Sequence, residues 1–298
     1  MTTGGQATNT QTSLAQRPDR LDDLEMAALA ERIEMRAWHD LVAAAPLWLR
    51  MSTGLVAEEV DGALLLASPG IPNLLFNRVI GLGEHMPASD RQISHIMDRY
   101  WALGVPGYWV HVGPYARPVR LGRLLQQHGL QPYRRSWVKM VRPACRVSLA
   151  PSQVKVRRAR IEDAHVVASI VGPGFDLPQC AAEIFSQLVD RPRWYVFVAE
   201  LDGEIIAAAG SFVDGDTTYL AFAATRPEYR CRGAQRALMQ ARINFAADCG
   251  HRWIATETGF PLAADEPNPS YHNMLWAGFR PVVIRDNYAP FGTRWAEA

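Results

Sequence analysis

The chain has little lysine and almost no net charge. Only Lys139 and Lys155 are lysines among its 31 basic residues, which stand against 30 acidic residues for a net charge of +1. A balanced charge gives no sequence-independent attraction to nucleic acid or to an anionic membrane surface. The excess of arginine most simply reflects genome composition, although arginine also suits bidentate contacts with phosphate. The balance of basic and acidic residues therefore favours a small molecule, or another partner that is not bound mainly through charge.

The chain also lacks a disulfide framework, a metal-ligand pattern and a long apolar run. Its cysteines, Cys145, Cys180, Cys231 and Cys249, show no close pairs, so we expect a cytoplasmic protein without a metal ion. No apolar run approaches the roughly 20 residues of a membrane helix, so no membrane partner is predicted. Residues 1–16 are rich in Thr, Gly and Gln and lack a signal-peptide core, which predicts a disordered tail over residues 1–20.

The sequence repeats itself once. With 298 residues, 48% of them apolar, the chain has the length and material for two buried cores. The turn Asp61-Gly62 corresponds to Asp202-Gly203, and the segment 129–132 corresponds to 278–281, at offsets of 141 and 149 residues. Such a period indicates a duplicated domain and not a solenoid. We place the domains at 21–149 and 150–298, with a linker over 143–153.

Hydrophobic periodicity predicts alternating helices and strands in both halves. Predicted helices cover 21–45, 89–103, 119–128, 161–171, 233–248 and 269–277. Predicted strands cover 55–60, 63–67, 76–82, 108–112, 154–159, 194–201, 205–213, 219–224 and 253–258. This order indicates an α/β (α+β) fold class.

The turn from Arg230 to Gln235 carries the clearest chemistry. A mostly apolar strand ends at Pro227, and an amphipathic helix follows Gly233. Free backbone amides and the positive end of the helix dipole meet at such a turn, where a pyrophosphate can bind. Gly233 allows close approach, and Arg230, Arg232 and Arg236 add positive charge.

This turn resembles the acetyl-CoA motif of the GNAT N-acetyltransferase family, which reads Gln or Arg, two residues, Gly, one residue, then Gly or Ala. Pro227, Arg230 and Gly233 match the family, whereas Gln235 stands where Gly or Ala is usual. The resemblance extends from about 154 to 288 and includes the Gly278-Phe279 pair after the last helix. The first half resembles the fold in outline only, because 81–91 contains no matching turn.

The resemblance implies two tandem GNAT-like domains, each a mixed central sheet flanked by helices, with a degenerate first half. Acetyl-CoA would be the acyl donor. Its pantetheine arm would pair with Ala223, Ala224 and Thr225, and its pyrophosphate would meet the amides of Cys231, Arg232, Gly233, Ala234, Gln235 and Arg236. Three polar residues at the next helix, Asn268, Ser270 and Asn273, would lie near the coenzyme.

Direct attack by an amine on the thioester needs a base and a way to stabilise the departing thiolate. Glu257, at the end of an apolar strand, is the predicted base; a solvated carboxylate or a partner for Arg252 is the alternative. The family commonly supplies the acid as a tyrosine where this chain has Met274. Tyr271, one turn earlier, is the predicted substitute, although a tyrosine at helical spacing is more often a core residue, and Ser270 or an unaided thiolate are further options.

The leading hypothesis is an acetyl-CoA-dependent N-acetyltransferase acting on the amine of a small molecule or peptide. The alternatives are another acyl-CoA outcome, such as O-acyl transfer, thioester hydrolysis or decarboxylation, and a non-catalytic coenzyme A-binding module. The acceptor pocket is expected from 175–185, 260–267 and the cleft between the halves. Whether the chain forms a homodimer stays open.

Overall fold

The computed structural model describes residues 23–133, 135–148, 153–263 and 266–293. Within these ranges the chain forms eight α-helices and twelve strands. The tail predicted over residues 1–20 and the domain boundary predicted near Leu149 lie outside the described residues.

The first half contains four helices and six strands. Its helices are α1 (Asp23–Ala44), α2 (Leu47–Thr53), α3 (Asp90–Ala102) and α4 (Leu121–Gln127). Its strands are β1 (Val56–Val60), β2 (Ala63–Ala67), β3 (Arg78–Ile80), β4 (Trp109–Val112), β5 (Leu130–Pro132) and β6 (Trp137–Pro143).

The second half contains the same number of each. Its helices are α5 (Ala164–Gly174), α6 (Gln179–Ser186), α7 (Ala234–Asp248) and α8 (Pro269–Trp276). Its strands are β7 (Lys155–Arg158), β8 (Trp194–Leu201), β9 (Glu204–Asp214), β10 (Thr217–Thr225), β11 (Trp253–Gly259) and β12 (Arg280–Pro290).

The two predicted hairpin turns are confirmed. Asp61 and Gly62 have φ of 46° and 79°, and Asp202 and Gly203 have φ of 51° and 84°. These paired positive angles belong to the tight turn that an Asp-Gly dipeptide favours, because its twist matches that of the flanking strands. The remaining predicted helices and strands are present with shifts of a few residues at their ends.

Five elements escaped prediction: α2, α6, β5, β6 and β12. Three of them are short. The other two, β6 and β12, carry Lys139 and Arg285 at central positions, and charged residues of this kind ordinarily lie at the surface. In the structure both side chains are buried, with exposed fractions of 0% and 1%.

All twelve strands form a single sheet in the order β1-β2-β3-β4-β12-β6-β11-β10-β9-β8-β7, with β5 paired to β12. The two halves exchange strands at its centre. Strand β6 of the first half lies between β11 and β12 of the second half, antiparallel to both. The far end of β12 reaches back into the first half, where it pairs with β4 and β5. Backbone hydrogen bonds therefore join the halves into one structure.

Helices from both halves cover one face of the second-half sheet. Helix α1 contacts β6, β10, β11 and β12, and it also packs against α6. Its apolar side chains belong to the same buried core as those of α5 and α6. Helices α7 and α8 contribute to a separate core on the other face of the sheet. A helix of the first half thus lies directly over the strands that carry the predicted site.

Candidate functional site

The turn between β10 and α7 presents free backbone amides. Gly233 stands immediately before α7 in the left-handed conformation, with φ of 85°, and Cys231 has φ of 62°. No side chain caps this helix N-terminus. The first amides of an α-helix have no acceptor within the helix, so here they stay available to a ligand. Together with the helix dipole they form a site suited to a phosphate group.

Strands β10 and β11 separate beside this turn. In the described chain they pair only over 217–219 and 253–255. Beyond that point β10 stays with β9 up to Thr225, whereas β11 stays with β6 up to Gly259. A gap therefore opens between two neighbouring strands, and one edge of β10 faces it. Peptide groups on such an edge can pair with an extended ligand that carries amides.

Side chains satisfy the first carbonyl groups in this gap. The Thr256 hydroxyl donates to the Leu220 carbonyl oxygen at 3.1 Å, and the Arg242 guanidinium donates to the Ala221 carbonyl oxygen at 3.2 Å. The three residues predicted to pair with the pantetheine arm come just beyond these positions. Thr256 and Arg242 do not reach these three residues, so this part of β10 remains available to pair with a ligand.

A groove of about 680 Å³ runs along this edge and over the turn. Ten of the thirteen residues predicted to bind the coenzyme line it: Ala223, Ala224, Thr225, Arg230, Cys231, Gly233, Ala234, Gln235, Arg236 and Asn273. The groove is also lined by Gly174, Tyr229 and Pro269, which the sequence reasoning missed. A Cβ on Gly174 would lie 2.5 Å from the Ala224 Cβ, so α5 approaches β10 closely because this residue is glycine. In the sequence, the run Gly172-Pro173-Gly174 could have indicated that the chain makes a close approach here.

The other three predicted coenzyme residues lie elsewhere. The Arg232 guanidinium stands over the Tyr229 ring, 5.6 Å from its centroid. Asn268 caps α8: its side-chain oxygen accepts from the Tyr271 amide at 2.9 Å, and its side-chain nitrogen donates to the Gly259 carbonyl at 2.8 Å. Ser270 lines a second cavity next to the groove.

Gln235, which departs from the family pattern, points back toward the strand. Its side-chain nitrogen donates to the Thr225 hydroxyl oxygen at 3.0 Å. The neighbouring Arg236 donates to the Asn273 side-chain oxygen at 3.4 Å and stacks 4.5 Å from the Trp276 ring centroid. The start of α7 is therefore tied to both β10 and α8, and the larger side chain at Gln235 does not block the turn.

The second cavity, of about 360 Å³, shares five lining residues with the groove: Gly174, Ala223, Gln235, Pro269 and Asn273. Seven aromatic side chains form much of its wall: Trp38, Trp137, Phe175, Phe185, Trp194, Tyr219 and Phe222. Helix α1 contributes Ala37, Trp38 and Leu41, so the first half supplies part of the wall. The expected pocket residues Phe175 and Phe185 are present, whereas the described residues of 260–267 are not part of the lining.

Glu257 lines this cavity at the open end of β11, with a side chain that is 6% exposed. Its Oε2 accepts from Arg285 Nη2 at 2.6 Å and lies 3.6 Å from Lys139 Nζ. Its Oε1 lies 3.3 Å from Arg78 Nη1. Arg252, the alternative partner from the sequence, is instead 3.9 Å from Asp216. The geometry is that of a buried, multiply paired carboxylate, not of a solvated one.

Burial raises the pKa of Glu257, and the negative charge of Glu34 raises it further. The positive charges of Lys139, Arg78 and Arg285 oppose both effects. The carboxyl group consequently titrates above its ordinary range, which moves it toward the pH at which a general base works best.

Glu257 belongs to a buried network of three carboxylates and three cations. The members are Glu31, Glu34, Glu257, Arg78, Lys139 and Arg285. They come from α1, β3, β6, β11 and β12, and so from both halves of the chain. Equal numbers of opposite charges allow such groups to be buried together, whereas an unpaired charge would be very costly.

Of the predicted acid residues, Tyr271 lines neither cavity and packs edge-on against Phe260, with ring centroids 5.9 Å apart. Met274 is buried and lines the second cavity, where it cannot donate a proton. Tyr219, which the sequence reasoning missed, lines the same cavity and is 3% exposed. Burial and the charge of Glu257 raise the pKa of Tyr219, so its hydroxyl stays protonated. Because Tyr219 lies in an apolar strand, the sequence did not mark it as a candidate functional residue.

Comparison with known proteins places this geometry in a family. Residues 165–264 match the model of the Acetyltransferase (GNAT) family. This part of the second half is therefore similar to a GNAT acetyltransferase domain. The matched range contains the open strand edge, the turn and Glu257.

A Bacillus subtilis (strain 168) protein with the provisional name ribosomal protein bS18-alanine N-acetyltransferase is 23% identical over 137 residues, covering 46% of this chain and 87% of that protein. Among solved structures, a GCN5-related N-acetyltransferase from Kribbella flavida superposes with a TM-score of 0.58 at 15% identity, over 89% of this chain and 96% of that one. A tandem GNAT protein from the clavulanic acid biosynthesis pathway gives 0.56 at 13% identity, over 90% and 96%. The GNAT fold therefore extends over both halves in a tandem arrangement.

Among the residues placed in the structure, no helix has the length and apolar character to cross a membrane. No group of three or more His, Cys, Asp or Glu side chains in those ranges is arranged to hold a metal ion.

Proposed function

We propose that this protein is an N-acetyltransferase that transfers the acetyl group of acetyl-CoA to the amine of a small molecule or peptide by direct attack. The observation that carries the proposal is the meeting of two cavities at the gap between β10 and β11. The groove on one side suits the donor, the aromatic cavity on the other suits an acceptor, and Glu257 lines the acceptor side.

Along the groove, the binding groups follow the same order as the chemical groups of coenzyme A that they suit. The uncapped amides at the start of α7 suit the pyrophosphate, and Arg230 and Arg236 add positive charge there. The open edge of β10 suits the amides of the pantetheine arm. An arm that follows this edge away from the turn leads toward the acceptor cavity, where the thioester would meet the amine.

The proposed reaction needs two proton transfers. Glu257 accepts the proton that an ammonium group must lose before its nitrogen can attack the thioester carbonyl carbon. The new C–N bond forms, the C–S bond breaks, and the nitrogen loses a second proton while the thiolate takes one up to leave as the thiol. The raised pKa of Glu257 supports its role as the base.

The first half is proposed to bind no coenzyme. Its corresponding helix, α3, is capped by Ser89, whose hydroxyl accepts from the Gln92 amide at 3.2 Å. Asp90 adds a negative charge in the first turn. A capped, acidic helix N-terminus is unfavourable for a phosphate group. The contribution of this half is instead the α1 wall of the acceptor cavity.

The test combines coenzyme binding with turnover. Thiol release from acetyl-CoA should depend on an added amine; release without an amine would favour thioester hydrolysis, and tight binding without any release would favour a binding module. Gly233→Asp should weaken acetyl-CoA binding at least tenfold by calorimetry, because a carboxylate would face the pyrophosphate. Gly215→Asp is the matched control, since Gly215 also has a positive φ, 57°, but lies in an exposed turn away from the groove. Equal affinities of the two variants would contradict the site assignment.

A further inference from the structure

We infer that the acceptor is an arylalkylamine, a primary amine on a short chain that ends in an aromatic ring and carries no carboxylate. This inference rests on the proposed acetyl transfer. It comes from the distribution of apolar and polar groups around the second cavity, and it also gives the first half a role in choosing the acceptor.

The apolar part of the cavity is an ordered aromatic cluster. The rings of Phe185 and Phe222 meet edge to face with centroids 4.8 Å apart, and Trp194 lies 5.9 Å from Phe222. Phe222 stands at the bulge of β10, and its ring packs over Gly210, where a Cβ would lie 2.4 Å away. These contacts hold the rings in place. A ligand ring gains offset or edge-to-face contacts there, whereas hydroxyl or ammonium groups would lose their hydrogen bonds with water.

The polar groups that can receive the amine lie together. Tyr219 pairs with Ala255 across β10 and β11, and Glu257 follows two residues later on the same face of the sheet. Tyr219 lines the cavity, and its hydroxyl is not among the fully buried side-chain atoms that lack a hydrogen-bond partner in the described chain, so it is accessible from the cavity. This hydroxyl can therefore form a hydrogen bond with an amine bound beside Glu257.

The one buried guanidinium in the described lining of the cavity is already occupied. Arg242 donates to the carbonyl oxygens of Leu238, Gly210 and Ala221 at 3.3, 3.1 and 3.2 Å. Burial lowers its pKa to about 10, so it keeps its charge at neutral pH. Its role is to satisfy the backbone around the bulge. An acceptor with a carboxylate would therefore find a paired cation and the negative Glu257.

The first half completes the aromatic wall through Trp38 of α1. Its ring meets the Phe76 ring edge-on at 5.5 Å, and the Arg78 guanidinium lies 4.4 Å from its centroid. Leu41 and Leu75 line the cavity beside it. Without α1 the aromatic cluster would face solvent, so selection of the acceptor requires both halves.

The experiment measures kcat/KM at saturating acetyl-CoA for five amines: 2-phenylethylamine, tryptamine, tryptophan, ethanolamine and spermidine. The first two should exceed each of the other three at least tenfold. A preference for ethanolamine or spermidine, with amine-dependent thiol release intact, overturns the inference and leaves the proposed function standing. A preference for tryptophan over tryptamine overturns the part that excludes a carboxylate. If no amine promotes thiol release, calorimetric binding of tryptamine with coenzyme A present decides: binding supports the cavity assignment, and no binding refutes it.

Variants separate recognition from folding. Trp38→Ala should raise KM for tryptamine at least tenfold while the Kd for acetyl-CoA stays within twofold. Trp101→Ala, a tryptophan of the first half that is 88% exposed, is the matched control and should leave KM unchanged. Phe175→Ser tests the same wall from the residue that follows α5, outside the charge network, in case loss of Trp38 weakens folding. Unchanged KM in both cavity variants would refute the inference.

Discussion

Replacing Lys139 with methionine removes one cation from the buried network and leaves three carboxylates against two arginines. The Lys139 side chain is fully buried, and its Nζ contacts Glu34, lies 3.4 Å from Glu31, and is 3.3 Å from the Ala30 carbonyl oxygen. Methionine fills a similar volume without charge. Removing one partner from a buried ion pair costs about 3 to 5 kcal/mol, because it leaves a charge without compensation. That is a large share of the roughly 5 to 15 kcal/mol that stabilises a typical protein.

The assay is urea unfolding followed by tryptophan fluorescence at pH 8, with the Lys155→Met variant as the matched control. Lys155 is the other lysine of the chain and is exposed on β7, so its loss should change the free energy of unfolding by no more than about 0.5 kcal/mol. The double variant Lys139→Met with Glu34→Gln restores equal numbers of charges. It should be more stable than Lys139→Met alone, which makes the two substitutions strongly non-additive.

The dependence on pH follows from the direction of the Glu257 shift. Its folded pKa is already raised, and loss of a neighbouring cation raises it again. A carboxyl group with a raised folded pKa destabilises the protein above its unfolded pKa and has no such cost below it. The deficit of Lys139→Met should therefore shrink as the pH falls toward 4.5. An equal loss in Lys139→Met and Lys155→Met, or a deficit that grows in acid, would refute the proposed electrostatic role.

Three further predictions address the site and its surroundings. Glu257→Gln should lower kcat at least 100-fold, as expected for loss of a general base, whereas Glu34→Gln should destabilise the protein but lower kcat less than tenfold; equal falls would make Glu257 structural. Acetyl-CoA should slow iodoacetamide alkylation of the exposed Cys231 at least tenfold and leave Cys249 unaffected, measured by peptide mass spectrometry; equal rates would place the coenzyme elsewhere. Burial and Glu31 raise the pKa of Glu84 to about 7, so Glu84→Gln should stabilise the protein by about 1 to 2 kcal/mol at pH 8.5 and by almost nothing at pH 4.5 in thermal unfolding, whereas the same gain at both values would exclude titration as the cause.

The sequence was sufficient for features that depend on neighbouring residues. The Asp-Gly turns, the order of most helices and strands, and the strand-turn-helix around Gly233 were predicted, because turn angles, periodicity and helix starts follow from short segments. The duplication was visible for the same reason, since each half repeats local patterns. Ten of the predicted coenzyme residues line one groove because they lie on a single strand, turn and pair of helices.

Only the tertiary structure decided where charged residues are buried and how the halves join. Lys139 and Arg285 lie in strands that gave no clear signal, and pairing between β6, β11 and β12 places them beside Glu257. Charge compensation among residues far apart in the chain has no local pattern, so the sequence could place Glu257 at a strand end but could not reveal its three cations. In the same way the sequence could locate the turn before α7, whereas the wall of the aromatic cavity depends on α1 crossing from the first half onto the second-half sheet.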